Sequence, residues 1–335
     1  MDDWLIYRGT GEPHDGITRL PPAPAWRSFN GSPALSGSAP PESAADVYRA
    51  RTYQPSRDEI ELVNAAMYLR RPLLVEGKPG TGKSTLAYSI AYELGLGPVL
   101  RWSITSGSAL RDALYVYDAL GRLEAANRRN RADPAQDDPD DIGNFLTLGP
   151  LGTALLPFGR PRVLLIDEID KASYDLPNDL LNLFETGVFE IDELRRIAKV
   201  RHRVDVLPTG DRAPVEIVDG VVTCREFPIV VLTSNQEREF PAAFLRRCVR
   251  LSIAEPDERR LGAIVVAHLG DDAATAGADI VSDFLRRRSR MTLATDQLLN
   301  AIYLTSNAAR EIGPTRSRLV ELVLRGLDSV AEPPP

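Results

Sequence analysis

The sequence predicts an α/β fold, a five-stranded parallel sheet sandwiched by helices with a small helical lid domain behind it. Three observations carry this. A glycine-rich turn, Gly77-Lys78-Pro79-Gly80-Thr81-Gly82-Lys83-Ser84, lies between the apolar run Leu73-Leu74-Val75 and the helix-forming stretch 85–94, so a strand feeds a helix through a loop shaped for phosphate. A second run, Val163-Leu164-Leu165-Ile166-Asp167-Glu168, is apolar on both faces and ends in paired acids, which is how a central parallel strand covered by helices on both sides reads. Beyond Pro256, residues 257–330 carry helical periodicity only.

Taken in order, residues 1–55 form an arm and linker. Pro13, Pro21, Pro22, Pro24, Pro33, Pro40 and Pro41 leave no room there for a continuous helix or a central strand. Trp4, Leu5, Ile6, Tyr7, Ile17, Leu20, Trp26 and Phe29 are too apolar for a solvating tether. An extended arm pinned by its aromatics is expected, either to its own core or to a neighbouring subunit, and residues 31–42 read as linker.

The nucleotide-binding core is expected over residues 56–254. Ser56-Arg57-Asp58-Glu59 is a capping box ahead of Ile60, Val63, Met67 and Leu69 on a helix. Strand 73–76, the loop with its helix, strand 99–104 and a helical stretch over 110–124 follow. Residues 127–141 switch from basic to acidic around two prolines and read as an exposed loop remote from any chemistry. Asp175 caps a helix with Pro177 in its first turn and Leu180, Leu181 and Phe184 on its buried stripe. Asp219-Gly220, between the apolar runs 214–218 and 221–224, is the signature of a type I′ hairpin. Ile229-Val230-Val231-Leu232-Thr233-Ser234-Asn235 is a further buried strand, and strand 249–253 completes the five. In the helical lid, residues 255–330, Thr295-Asp296 caps a helix bearing Leu298, Leu299, Ile302 and Tyr303, and Leu319, Leu322, Val323 and Leu327 stripe the last helix. Residues 331–335 are a fraying tail.

The loop dictates the chemistry. Along Gly77, Lys78, Pro79, Gly80, Thr81, Gly82, Lys83, Ser84 and Thr85, the glycines let backbone N–H groups curl around phosphate oxygens. Lys83 is placed to reach the β and γ phosphates, and the Ser84 hydroxyl to ligate Mg²⁺ at the positive end of the helix. ATP with Mg²⁺ is the implied ligand pair. The Lys78 side chain can point to solvent without disturbing the cradle. At the carboxyl end of its strand Asp167 can hold the Mg²⁺ shell with Ser84, while Glu168 polarises the attacking water. Asn235, ending a neighbouring strand, orients that water or touches the γ phosphate, or else merely caps a strand end or turn.

These runs, with Phe240-Pro241-Ala242-Ala243-Phe244-Leu245-Arg246-Arg247-Cys248, resemble the AAA+ ATPases, and specifically their MoxR-like branch, over about residues 53–251. Walker A falls at 77–84, Walker B at 163–168 and sensor 1 at Asn235, with Gly149-Pro150-Leu151 ahead of Walker B and the helix of 180–185 behind it. The resemblance implies a ring homo-oligomer, a hexamer, that hydrolyses ATP to ADP and phosphate. It implies an arginine finger that reaches the neighbour's ATP, Arg247 with Arg246 as the alternative. A finger in trans is worth on the order of 10³ or more in rate because it meets charge spread over the transferred phosphoryl group. It implies a sensor 2 arginine in Gly313-Pro314-Thr315-Arg316-Ser317-Arg318, Arg316 ahead of Arg318, and a lid hinged near Pro256. The hairpin at Asp219 would face the ring's pore or client side, or be plain structure. The partner implied is a protein client undergoing chaperone-like remodelling or assembly, with von Willebrand factor A domain proteins as the partner class.

Composition limits the alternatives. The chain has 335 residues, 43% of them apolar, enough for one large and one small domain. Its formal charge of −7 argues against a nucleic-acid motor or loader, which needs a basic face. The exception is Arg286-Arg287-Arg288-Ser289-Arg290, which either complements a helix C-terminus or meets nucleic acid or a partner. An ATP-binding assembly switch with little turnover is the other alternative, for which the resemblance implies a bacterial conflict system as a setting; the intact Glu168 speaks against it. Cys224 and Cys248 make no metal spacing and read as small buried thiols, and His14, His202 and His268 are scattered. No run approaches twenty apolar residues and the N-terminus lacks a secretory core, so a cytoplasmic protein is expected.

Overall fold

The computed structural model describes residues 3–35, 42–129, 142–210, 213–289, 291, 293–308 and 314–324. Its centre is a sheet of β1 (Leu73–Glu76), β2 (Leu100–Ser103), β3 (Val163–Asp167), β4 (Ile229–Ser234) and β5 (Val249–Ser252), all parallel, in the order β5-β1-β4-β3-β2. Every residue of β1, β3 and β4 is buried, while the edge strands β2 and β5 each expose two of four. Pleating sends alternate residues to opposite layers. Leu74, Leu164, Ile166, Val230 and Leu232 join one hydrophobic cluster; Leu73, Val75, Val163, Leu165 and Val231 join the other. Each such aliphatic side chain contributes roughly 1.5–3 kcal/mol on burial. The register sets Glu76 beside Ser234 and Ser103 beside Asp167, so the acid of β3 and the ends of β1 and β4 meet at the carboxyl end of the sheet, where strand order reverses.

Around the sheet, α1 (Ala44–Thr52) packs on α3 (Lys83–Glu93), and α2 (Arg57–Leu69) lies against β1 and β5. Helix α1 falls in the stretch expected to be helix-free. The proline argument holds only as far as Pro41, and Ser43 then caps α1 by accepting the Asp46 N–H. The arm is pinned to its own core, though not by its tryptophans. Leu5, Ile6 and Tyr7 are buried, whereas Trp26 is 78% exposed and Trp4 only meets Tyr68 edge-on. Backbone capture holds it: Asn64 Oδ1 accepts the N–H groups of Ile6 and Tyr7, and the fully buried Glu93 accepts those of Arg8, Gly9, Thr10 and Gly11. Farther along, Gly31 N–H donates to Cys224 O and Leu35 N–H to Pro157 O. Residues 36–41 of the expected linker lie outside the described residues.

The helix expected over 110–124 is broken. Leu110–Leu114 is helical, Tyr115–Tyr117 is a strand paired antiparallel with Leu146–Leu148, and Ala119–Arg129 is helical again. The Tyr-Val-Tyr triplet favours extended backbone strongly enough to override the helical period around it. Most of the expected loop, residues 130–141, lies outside the described residues. The hairpin forms as expected, with Asp219 and Gly220 both at positive φ. It belongs to a four-stranded antiparallel sheet in the order Val188–Glu190, Val221–Thr223, Val215–Val218, Arg203–Val206. The hairpin tip is tied down, with Ile191 N–H donating to Gly220 O and Arg195 to Asp219 O. In α4 (Leu176–Thr186) Asp175 makes no side-chain cap; its carbonyl takes the Asn178 and Asp179 N–H groups instead.

The C-terminal helices are α5 (Glu258–Leu269), the short Asp271–Ala276, α6 (Ala278–Arg288), α7 (Thr295–Ala308) and α8 (Pro314–Val323), packed around Leu261, Val265, Phe284, Leu298 and Ile302. Gln297, not Thr295 or Asp296, closes the N-terminus of α7 by accepting the Ala294 N–H. Tyr303 is exposed, and the buried stripe of the last helix is Val320 and Leu324, with Leu322 exposed. Leu327, Gly313, Arg290 and the 331–335 tail lie outside the described residues. Arg286 and Arg287 pair with Asp283 and Arg288 lies over the Phe284 ring, at the end of α6. Both cysteines are free and buried, and burial pushes each thiol up to about 12. Among the described residues no helix is long and apolar enough to cross a membrane.

Candidate nucleotide-binding site

The loop from β1 to α3 is shaped by left-handed glycines. Gly80 (φ 75°) and Gly82 (φ 89°), the residue that caps α3, adopt backbone that side chains resist. Neighbours close in on both. A Cβ at Gly82 would lie 2.9 Å from the Tyr53 ring, and one at Gly80 would lie 2.6 Å from Ala294 Cβ, at the start of α7. Lys83 is buried and donates from Nζ to Gly77 O and Lys78 O, both at 2.8 Å. Burial lowers its pKa, against the pull of Asp170, Asp167 and Glu168. Lys78 points outward to Glu255, 3.1 Å away, as expected of it, and Pro79 beside it is exposed. Thr81 Oγ1 donates to Lys78 O, and Thr85 is half-buried on the first turn of α3.

Hydroxyl groups tie Asp167, the last residue of β3, to Ser84 at the end of this loop and to Thr233 on β4. Ser84 Oγ and Thr233 Oγ1 both donate to Asp167 Oδ1 at 2.7 Å, and Arg101 Nη2 reaches Asp167 Oδ2 at 2.7 Å. Burial works to raise the Asp167 carboxyl, but the hydrogen bonds from Ser84 and Thr233 and the charge of Arg101 outweigh it and hold the group below the usual carboxylate range. Glu168 lies at φ 62°, ψ 49°, unusual for a glutamate. Its N–H donates to Thr233 Oγ1 at 2.8 Å and its carboxylate meets Lys171 Nζ at 2.8 Å. Thr233 therefore sets both acids at once. Asn235 follows β4 with its N–H on Asp170 Oδ2 at 2.8 Å; the same oxygen takes the Glu237 N–H, while Asp170 Oδ1 is buried and unpaired.

The two predicted arginines are not at the loop. Arg247 bonds Glu185 on α4 and Ala243 O, within its own chain, and Arg246 beside it is exposed. Arg316 forms a two-pronged pair with Asp279 and donates to Ala276 O, knitting α8 to α6 inside the helical domain; Arg318 is exposed. From beyond β5, Ala294 and Thr295 lie against Gly80, and Glu255 pairs with Lys78. Sequence reasoning missed Thr233, Arg101, Asp170 and Lys171. Thr233 left a signal, a polar residue inside an apolar buried strand, and Asp170 and Lys171 follow the paired acids after one residue, Ile169. Arg101 left none, because a basic residue on a half-exposed edge strand is ordinary.

A five-stranded parallel sheet in this order, with a glycine loop capping a helix and a serine bonded to the acid that ends the strand one removed from β1, defines a P-loop nucleotide-binding protein. The sequence profile described as the AAA domain (dynein-related subfamily) matches residues 72–248, over half of the chain, and the chain belongs to that family. The matched span runs from Pro72, just ahead of β1, to Cys248, and so includes Arg247, while the arm and Arg316 lie outside it. No curated protein matches the chain.

Proposed function

We propose that the chain is a Mg²⁺-dependent ATPase of the MoxR-like branch, working as a ring, a hexamer, on a protein client. The observation that carries the reading is the convergence of Ser84 and Thr233 on Asp167 Oδ1, with Glu168 registered by the same threonine. A hydroxyl and a carboxylate side by side are hard oxygen donors suited to Mg²⁺, which takes one or two such ligands and completes its shell with phosphate and water. Ser84 and Asp167 would hold the ion, which would neutralise charge developing on the β and γ phosphates. Lys83 binds the same phosphates once it leaves the Gly77 and Lys78 carbonyls. Glu168 orients and deprotonates the attacking water after parting from Lys171, and Asn235 positions that water.

Arg247 completes the neighbour's site in this reading. Its pair with Glu185 is part-exposed and of a kind worth about 1 kcal/mol or less. A finger stabilises the transferred phosphoryl group by several times that, so the exchange is favourable. Residues 56–254 form the nucleotide core, 255–330 the lid hinging near Pro256, and 1–55 the arm. Arg316, by its resemblance to sensor 2, would have to leave Asp279 to act. Proteins with von Willebrand factor A domains are the first clients to try, in the cytoplasm. The test is ATPase rate per subunit against protein concentration, for the native chain, Glu168→Gln and Arg247→Ala. A rate that climbs with concentration and is lost in both variants while ATP still binds supports the reading; a rate independent of concentration and of Arg247 refutes the shared site.

A further inference from the structure

Asp167 is held on both oxygens, and by different kinds of group. Oδ1 receives two neutral hydroxyls, from Ser84 and Thr233; Oδ2 receives a cation, Arg101. The ion pair is lopsided, because the Asp167 side chain is 10% exposed and that of Arg101 is 50% exposed. Arg101 lies in register with Leu165, two residues before Ser103, which faces Asp167. Its guanidinium thus reaches along the edge of the sheet to the acid from the solvent side. Lys83, the other cation close by, gives its ammonium to loop carbonyls. Among the described residues Arg101 is the cation bonded directly to Asp167. A carboxylate this buried beside a phosphate loop needs a counter-charge. One supplied by a long, half-exposed side chain can also withdraw at small cost.

We propose that Arg101 is an exchangeable counter-ion of the metal acid: it neutralises Asp167 while no divalent cation is bound, and yields Oδ2 to the cation that enters with the nucleotide. This rests on the nucleotide reading above and assigns to the same site a dependence on divalent cation that Arg101 sets. Removing Arg101 leaves the full Asp167 charge facing the phosphates whenever the metal is absent, and spares the metal its competitor whenever it is present. Metal-free nucleotide binding should therefore weaken while metal-bound binding does not.

The experiment is a titration of the full chain with a fluorescent, non-hydrolysable ATP analogue, once in EDTA and once in excess Mg²⁺, for the native protein, Arg101→Met and Arg101→Lys. Thermal melting checks that each variant is folded, and Arg101→Gln replaces the Met variant if that one is not. The expected result is a loss of about tenfold in EDTA for Arg101→Met, no loss in Mg²⁺, and near-native behaviour in both for Arg101→Lys. An equal loss in both conditions would assign Arg101 to the phosphates instead, and no change in either would make the pair idle; each overturns the proposal. Absence of binding by the native chain in both conditions would instead overturn the nucleotide reading beneath it.

Discussion

Replacing Thr233 by Val isolates the contribution of one hydroxyl to the whole site. The substitution keeps shape and volume nearly constant at a position that is 1% exposed, so no cavity confuses the result. It removes the donor to Asp167 Oδ1 and the acceptor of the Glu168 N–H. A hydrogen bond to a charged group is worth roughly 1.5–3 kcal/mol, and a buried N–H left unpaired costs about 1–3 kcal/mol. Ser84 and Arg101 still hold Asp167, which trims the first figure, so a destabilisation of about 2–4 kcal/mol is expected. Glu168 also loses the bond that holds its left-handed backbone, and a misplacement of about 1 Å at a catalytic group can cost about 10² in rate. Urea unfolding measures the first effect and steady-state ATP hydrolysis the second. Thr233→Ser restores both bonds and gives up only a methyl group, near 0.8 kcal/mol, so it should recover the rate while remaining slightly less stable. A Val variant within about 0.5 kcal/mol of native, hydrolysing at the native rate, would refute the claim that Thr233 sets both acids.

Glu93→Gln should loosen the arm and destabilise the chain by about 2–4 kcal/mol, since a buried carboxylate bonded to four backbone N–H groups is exchanged for a neutral amide that cannot accept at both ends; earlier cleavage near residues 8–14 in limited proteolysis would report it. Trp4→Ala with Trp26→Ala should stay within about 1 kcal/mol, because both rings are exposed; a differential melt reads stability, and assembly and client binding unchanged in the double variant would show that the tryptophans hold no partner. Gly80→Ala should impair ATP binding more than it alters the melt, because the new methyl meets Ala294 at 2.6 Å and strains a left-handed residue; an affinity equal to native would count against a loop pressed by α7. The depressed folded pKa of Asp167 means that its share of stability is present above the ordinary carboxylate range near pH 4 and is lost as pH falls through the folded value; Asp167→Asn should flatten that acid limb in urea midpoints taken from pH 3 to 6, and an identical limb would disprove the assignment.

The sheet and the phosphate loop were legible because their signals are local. Burial on both faces wrote Leu73–Val75, 163–166 and 229–232 as unbroken apolar runs, and the glycines of the loop answer to backbone angles that few other residues accept. The break at Tyr115 was not legible, since its partner strand lies some thirty residues on and pairing across that span leaves no period in either segment. The start of α7 was not legible for a related reason: Gln297 reaches back to the N–H of Ala294, an apolar residue that gives no cap signal, while Thr295 already lies inside the helix. Glu93 shows the opposite limit. A glutamate ending a helix looks like surface, and its burial becomes visible only when a segment some eighty residues upstream folds its N–H groups around it.

The helical domain and the phosphate loop are joined by a short run of contacts that bears on how one could inform the other. Arg260, near the start of α5, bonds Glu59 Oε1 at 2.7 Å and Gln54 O at 2.9 Å. Glu59, 2% exposed, takes Tyr53 Oη on its other oxygen at 2.6 Å, and the Tyr53 ring lies where any side chain at Gly82 would have to go. Glu59 is thus more than the capping residue its sequence position suggests. It is the buried charge that ties Arg260 on one side to a ring packed against the helix cap of the loop on the other. On the far side, Ala294 and Thr295 press on Gly80. Rotation of α5 relative to α2 must therefore either break a buried ion pair, which is costly when one partner is left behind, or carry Tyr53 with it and alter the space over Gly82. Tightly packed contacts of this kind switch between discrete arrangements and do not stretch, so a displacement of α5 would be felt in the space over Gly82.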